Sequence, residues 1–285
     1  MHASHLPTQI QKHFKNKTMN ILENRTAVIY GGGGSLGAAV ARAFAEAGAR
    51  VFLTGRSADS LQKSVEEILK AGGAAETDVV DALDEKAIDD HIESVVKRAG
   101  SVDISFNAVG ANIVMNIPLI DIKLQDFLSP ITLAMQTHFL TAKASARVMM
   151  KQKSGVILTL TATPGGIGYP YTGGFAPACS ALESFSRNLA IELGIYGVRV
   201  VNMRSGGSPD SAVFKKAIES NPEGMAVVLR QMEADTALKR LPSMSDIGNL
   251  AVFLASDMAA NITGVTVDIT SGTTAGLNYR ATSST

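Results

Sequence analysis

Short apolar runs rich in β-branched residues alternate with longer segments of helical period from Asn24 onward. Such alternation is typical of a parallel sheet that is covered by helices on both faces. The predicted strands lie at 26–30, 51–55, 76–80, 102–110 with its loop, 156–161, 198–203 and 264–270. The predicted helices lie at 38–48, 61–73, 84–100, 124–152, 175–194 and 244–256. The fold class is therefore predicted as α/β, a doubly wound parallel sheet of seven strands with its ligand outside the carboxyl ends of the strands.

Composition narrows the class of partner. Residues 22–285 are long enough for one large domain, and residues 1–21 are predicted as a flexible, basic extension without the apolar run of a signal or a membrane span. Lys+Arg and Asp+Glu both total 26, so no net charge attracts nucleic acid or an anionic membrane. The single cysteine, Cys179, excludes an internal disulfide, and no Cys/His spacing suggests a metal. We expect a small-molecule partner and a cytoplasmic location.

A glycine-rich turn, GGGGSLG at 31–37, lies between the first predicted strand and the following helix. Its glycines would let the backbone approach a pyrophosphate, while the helix directs its first amides at the phosphate charge. Gly32, Gly34 and Gly37 satisfy the pattern G-x-G-x-x-G, so a dinucleotide is the expected ligand, although a turn without a ligand is the alternative. The candidate contacts are Gly31, Gly33, Gly34, Ser35, Leu36 and Gly37.

The end of the second predicted strand bears on the choice of dinucleotide. NAD enzymes place an acid there on the ribose 2′-hydroxyl, whereas NADP enzymes have an arginine nearby. This chain has Gly55 where the acid would be, followed by Arg56. NADP(H) is therefore favoured over NAD(H), with an ordinary solvated loop cation as the alternative for Arg56.

Several motifs in order resemble those of the short-chain dehydrogenase/reductase family over nearly all of residues 22–273. Gly31 and Gly37 are the outer glycines of its G-x-x-x-G-x-G turn, and 263–272 is similar to its closing T-G-x-x-x-x-V-D-G-G. The resemblance implies a Rossmann fold and further cofactor contacts. These are the adenine-flanking pair Asp78 and Val79, and the loop after the fourth strand, Asn107, Ala108, Val109 and Gly110.

The positions that the family uses for proton transfer hold other residues here. In the family, Tyr exchanges a proton with the substrate oxygen, Lys lowers the pKa of that Tyr, and Ser orients the carbonyl. The aligned Asn, Ser, Tyr and Lys positions are Ala134, Ala162, Phe175 and Cys179. Tyr169 and Tyr171, on a Gly/Pro-rich loop, are candidate replacement donors, although rings on such loops usually pack as covers. His138, one turn after Ala134, is interpreted as a packing residue.

Two functions remain open at this point. The first is an NADP(H)-dependent oxidoreductase acting on a small, apolar carbonyl, imine or enone, with residues 207–240 as an irregular, partly helical insertion over the substrate. The second is a dinucleotide-binding pseudoenzyme with a regulatory or assembly role. The resemblance also implies a homotetramer or homodimer, formed through the helices at 124–152 and 175–194.

Overall fold

The computed structural model describes residues 20–275, so nearly all of the predicted extension at 1–21 lies outside the described residues. Seven strands form one sheet in the order β3-β2-β1-β4-β5-β6-β7. The strands are β1 (Thr26–Tyr30), β2 (Arg50–Gly55), β3 (Ala74–Val79), β4 (Ile104–Asn107), β5 (Gly155–Ala162), β6 (Val198–Ser205) and β7 (Thr266–Ile269). All neighbours pair in parallel, which confirms the predicted doubly wound sheet.

Eight α-helices connect the strands within residues 20–275. They are α1 (Ser35–Glu46), α2 (Ala58–Lys70), α3 (Glu85–Ala99), α4 (Leu124–Gln152), α5 (Phe175–Gly194), α6 (Ala212–Ser220), α7 (Pro222–Asp235) and α8 (Met244–Ala255). One hydrophobic core joins the sheet to α1, α2 and α8, and a second joins the opposite face to α3, α4 and α5. None of the described helices is long and apolar enough to cross a membrane.

The central strand shows why the sequence reads as short continuous apolar runs. Every residue of β1 is buried. Ala27 and Ile29 contribute to one core, whereas Val28 and Tyr30 contribute to the other. A strand that is buried on both faces has no solvent-facing side, so its apolar residues follow one another without alternation.

The insertion after β6 is more regular than predicted, because it forms two helices, α6 and α7. Ser211 caps α6 by accepting from the Phe214 amide, and Asn221 caps α7 by accepting from the Gly224 amide. Pro222 occupies the first turn of α7, where its missing N–H would have no helical partner. Neither helix contains a fully buried residue, so the pair lies on the outside of the sheet's carboxyl edge.

Candidate active site

The glycine-rich turn packs directly against the loop that follows β4. Gly31 has a φ of +76°, and a Cβ at this position would lie 2.8 Å from the Ala108 carbonyl carbon. A Cβ on Gly37 would lie 2.3 Å from the Gly31 carbonyl oxygen. Only glycine fits at both positions. The structure thus brings together two of the segments that the sequence predicts for the cofactor.

The N-terminus of α1 has the features of an anion site. The N-cap residue Gly34 provides no side-chain acceptor, and the first turn contains no acidic residue. The first amides of a helix have no acceptor within it, and the helix dipole favours a negative charge there. The amides of Ser35 and Leu36 are therefore suited to a phosphate, and the residues present fit the pyrophosphate of a dinucleotide.

Polar groups at the start of α2 lie beside this turn. A Cβ on Gly33 would lie 2.9 Å from the Cβ of Ser60. Ser57 caps α2, and its hydroxyl lies 3.1 Å from that of Ser60. Arg56 precedes them and is exposed. Ser60 therefore lies beside the phosphate turn, with Ser57 in contact with it and Arg56 directly after β2.

The predicted adenine-flanking residues, Asp78 and Val79, have different environments. The Asp78 carboxylate accepts from Arg98 at 2.5 Å and lies 3.3 Å from Nε2 of His91, so it is held against α3. Val79 ends β3 and is exposed. Asp81, which the sequence analysis does not single out, follows the strand and accepts from the Leu83 amide at 3.0 Å. The acid nearest the open end of β3 is therefore Asp81.

The loop after β4 is fixed by Asn107. This buried side chain donates to the Thr141 hydroxyl at 3.1 Å and accepts from the Val109 amide at 2.8 Å. Asn107 thus serves the loop itself, and the Ala108 amide donates to the Tyr30 carbonyl at 2.9 Å. The exposed Gly110 has open space around it.

Ala162, Phe175 and Cys179 lie where β5 meets α5. Ala162 ends β5, and the Cys179 thiol contacts its backbone. Phe175 opens α5 one turn before Cys179. Burial is the main reason that the pKa of Cys179 rises to about 11. The thiol is therefore neutral at pH 7 and unsuited to act as a nucleophile or as a replacement for a cation.

Ala134 lies on α4, whose backbone touches the start of α5. A Cβ on Gly174 would lie 1.8 Å from the Phe127 carbonyl oxygen. The Ala134 carbonyl accepts from Nδ1 of His138 at 2.9 Å. Burial lowers the pKa of His138 to about 4, so its ring is neutral at pH 7. Its Nε2 has no hydrogen-bond partner among residues 20–275.

The two candidate replacement donors lie on an exposed loop. Tyr169 is 41% exposed and Tyr171 is 54% exposed. Tyr171 has a φ of +59°, and its carbonyl accepts from the Asn116 amide at 2.9 Å. A Cβ on Gly173 would lie 2.7 Å from the Val114 carbonyl oxygen. Backbone contacts thus join this loop to the segment before α4, with both tyrosine residues at its surface.

An ionic cluster, formed by the buried Glu183, the largely buried Arg204 and the partly exposed Asp268, lies behind Cys179. Arg204 donates to both Glu183 oxygens, from Nε at 2.9 Å and from Nη2 at 2.6 Å. Its Nη1 donates to Asp268 at 2.8 Å, and the Thr161 hydroxyl donates to Glu183 at 2.9 Å. This cluster is not among the predicted site residues. Arg204, near the end of the mostly buried strand VRVVNMRS, is the signal that could have revealed it.

The cluster adjoins the turn that follows β5. A Cβ on Gly165 would lie 2.4 Å from Oε1 of Glu183 and 2.9 Å from the Cβ of Cys179. A Cβ on Gly166 would lie 2.6 Å from Nη1 of Arg204. The two glycines therefore let the chain pass directly over the cluster, between the ion pair and the open edge of the sheet.

The insertion reaches the phosphate turn. The amide of Ala212, at the start of α6, donates to the Ser35 hydroxyl at 3.2 Å. A Cβ on Gly207 would lie 2.5 Å from the Met232 methyl carbon and 2.8 Å from the Phe214 ring. The insertion thus places apolar side chains and one backbone amide over the carboxyl edge of the sheet.

Comparison with known proteins identifies the family. The family model described as "Enoyl-(Acyl carrier protein) reductase" matches residues 32–274. The chain belongs to the short-chain dehydrogenase/reductase family. It is similar to an uncharacterized oxidoreductase of Mycobacterium tuberculosis, with 31% identity over 254 residues that cover 89% of this chain and 93% of that protein. It is also similar to levodione reductase of Leifsonia aquatica, with 28% identity over 255 residues that cover 88% and 95% of the two chains.

The family assignment agrees with the fold. The chain is similar to the crystal structure of NAD+-bound xylitol dehydrogenase, with a TM-score of 0.82 and 25% identity between the two chains. The match covers 88% of this chain and 99% of that chain. The protein is therefore an oxidoreductase of this family, whose fold implies a nicotinamide dinucleotide as cofactor.

Proposed function

We propose that the protein is an NADP(H)-dependent oxidoreductase that acts on a small, apolar carbonyl, imine or enone. The supporting observation is the uncapped N-terminus of α1, bordered by Arg56, Ser57 and Ser60. When bound, the dinucleotide supplies or accepts a hydride at its nicotinamide ring. The protein's own contribution is to position the two reactants and to exclude water.

The chain offers distinct groups for each part of the nucleotide. The amides of Ser35 and Leu36 suit the pyrophosphate. Arg56, with the neighbouring serine hydroxyls, suits a 2′-phosphate, because a guanidinium pairs well with phosphate oxygens. For the adenine, we propose the chain just beyond β3, including Asp81, because the Asp78 carboxylate is already paired with Arg98.

The substrate side is apolar. The insertion presents Phe214 and Met232, and the loop after β5 presents Tyr169 and Tyr171. We propose that these side chains cover the substrate. Since Phe175 has no ionisable hydrogen and burial keeps the Cys179 thiol protonated, neither is positioned to act as the family's acid–base pair. The absence of a positioned acid typically costs ~10²–10⁴ in rate, so simple ketones should be slow substrates.

A second candidate is a dinucleotide-binding protein without catalysis, with a regulatory or assembly role. The observation that favours it is the combination of a phosphate turn that fits a nucleotide with Ala162, Phe175 and Cys179 at the reaction centre. Both candidates require nucleotide binding. They differ in whether any substrate consumes NADPH.

Two measurements test the proposal. Fluorescence titration should give a lower Kd for NADPH than for NADH, and Arg56→Ala should raise the NADPH value by about tenfold, or ~1.4 kcal/mol. Lys70→Ala, an exposed cation at the other end of α2, is the matched control and should change neither value. Equal affinities, or an unchanged Arg56→Ala variant, would overturn the NADP(H) assignment. Tight NADPH binding with no consumption across a panel of ketones, imines and enones would favour the second candidate.

A further inference from the structure

The side chains at the reaction centre restrict which electrophile can be reduced easily. Hydride addition to a neutral ketone produces an alkoxide, which must then take up a proton. Ala162 and Phe175 cannot supply one, and the neutral ring of His138 has its Nδ1–H bonded to the Ala134 carbonyl. Hydride addition to an iminium ion produces a neutral amine directly. An iminium substrate therefore does not require the proton donor that this centre lacks.

The charge behind the centre favours the same kind of substrate. The Glu183–Arg204–Asp268 cluster contains one guanidinium and two carboxylates, which leaves one negative charge unbalanced. Outside the cluster, its carboxylates accept from the hydroxyls of Thr161 and Thr274, and among residues 20–275 no further cation bonds to it. Solvent screens the charge of Glu183 weakly, because its side chain is only 6% exposed, and it screens the 35% exposed Asp268 more strongly.

One carboxylate of this cluster lies close to the position that the family gives to a lysine. The Glu183 carboxylate and the Cys179 side chain converge on the same point below Gly165. Burial is the largest cause of the raised Cys179 pKa; the contact with the Ala162 backbone lowers that pKa, and the Glu183 charge raises it. A carboxylate therefore lies beside the position where the family has a lysine ammonium.

We propose that this site binds and reduces a cationic iminium in preference to a neutral ketone, with the Glu183–Arg204–Asp268 cluster as its charge complement. This inference rests on the proposed NADP(H)-dependent function. The hydride of NADPH forms the new C–H bond at the iminium carbon, and the π electron pair of the C=N bond moves to nitrogen. The amine is the reduced product and NADP+ is the oxidised one, with no proton consumed.

The test uses two bicyclic probes of similar size. 2-Methyl-3,4-dihydroisoquinolinium is a permanent cation, and 1-tetralone is a neutral ketone. With NADPH, the iminium should be reduced at a rate that does not change between about pH 6 and 8.5, because the step consumes no proton. Since an iminium is intrinsically the better hydride acceptor, the binding of both probes to the NADP+-loaded protein is measured by calorimetry as well. The iminium should bind at least about tenfold more tightly than the ketone.

Variants separate a charge effect from a structural one. Asp268→Asn keeps the shape of the side chain but removes the unbalanced charge, and it should raise the iminium Kd by about tenfold while leaving the ketone Kd within about twofold. Asp268→Glu should restore the iminium value. Glu76→Gln is the matched control, since both carboxylates are 35% exposed and paired with arginine, but Glu76 lies on the opposite edge strand. It should change neither Kd.

The outcomes distinguish this inference from the proposed function. A ketone that binds as tightly as the iminium, or an Asp268→Asn variant that weakens both probes equally, would overturn the inference while the NADP(H) function stands. Failure of the wild-type protein to bind either nucleotide would overturn the proposed function, and this inference with it.

Discussion

Replacement of Arg204 by methionine tests whether the cluster beside the reaction centre is held together by charge. Arg204 makes two hydrogen bonds to Glu183, and after the change Glu183 keeps only the Thr161 hydroxyl among its recorded partners. The exposed fractions of the two side chains are 15% for Arg204 and 6% for Glu183, so solvent replaces little of the lost interaction. Removing one partner of such a buried pair costs about 3–5 kcal/mol.

The double variant Arg204→Met, Glu183→Leu should be more stable than Arg204→Met alone. It leaves no buried unpaired charge, and Asp268 is exposed enough to be hydrated. Replacing both members of a buried pair by apolar residues is often close to neutral, so we expect stability within about 2 kcal/mol of the wild type.

Urea unfolding followed by circular dichroism, at one fixed protein concentration, measures the free energy of unfolding of the wild type, of Arg204→Met, of Glu183→Leu and of the double variant. Arg204→Met should also lower the thermal midpoint by about 10 °C, given a few degrees per kcal/mol for a chain of this size. If the double variant loses as much stability as the sum of both single variants, the two residues are not coupled and the reasoning is refuted.

Three further predictions follow from other parts of the structure. Gly55→Asp should shift the ratio of the NADPH and NADH Kd values towards NADH by about tenfold, because the new carboxylate repels a 2′-phosphate. The position has room for the side chain, since a Cβ there meets only Leu61, at 3.6 Å. Fluorescence titration measures both Kd values, and an unchanged ratio would refute this prediction. Burial lowers the pKa of His138 in the folded protein from 6.5 to about 4, so between these values the unfolded chain binds more protons and stability falls as the pH drops. His138→Gln should therefore reduce the loss of urea-derived stability between pH 7 and 4 by up to about 3 kcal/mol. An unaltered pH profile would count against this prediction. Phe139 on α4, Ile191 on α5 and Ile195 directly after α5 are exposed at 50%, 80% and 83%. Light scattering should therefore show a homotetramer, whereas a 29.8 kDa monomer alone would contradict this prediction.

The fold is predictable from the sequence where burial is continuous. β1, α4 and α5 begin and end at their predicted residues, because their apolar patterns reflect packing against the sheet. The insertion is harder to predict, since α6 and α7 bury no residue completely and so carry a weaker pattern. Their start signals are local instead, in the caps Ser211 and Asn221.

The candidate site divides in the same way. The phosphate turn is predictable because its glycines and the helix that follows are contiguous in sequence. The pairing of Asp78 with Arg98 spans 20 residues, and that of Arg204 with Asp268 spans 64 residues. Such contacts depend on how strands and helices pack, so no local sequence motif predicts them. The Glu183–Arg204–Asp268 cluster can therefore be identified only from the three-dimensional structure.

The most direct test of the account is a single-turnover measurement of NADPH oxidation with 1-tetralone. It compares the wild type with the triple variant Ala162→Ser, Phe175→Tyr, Cys179→Lys, after thermal melting has checked that the added lysine does not overpack the buried Cys179 position. We predict that the wild type is slower than the triple variant by at least ~10², because it lacks a positioned proton donor. Rapid wild-type turnover that Tyr169→Phe or Tyr171→Phe abolishes would contradict the account.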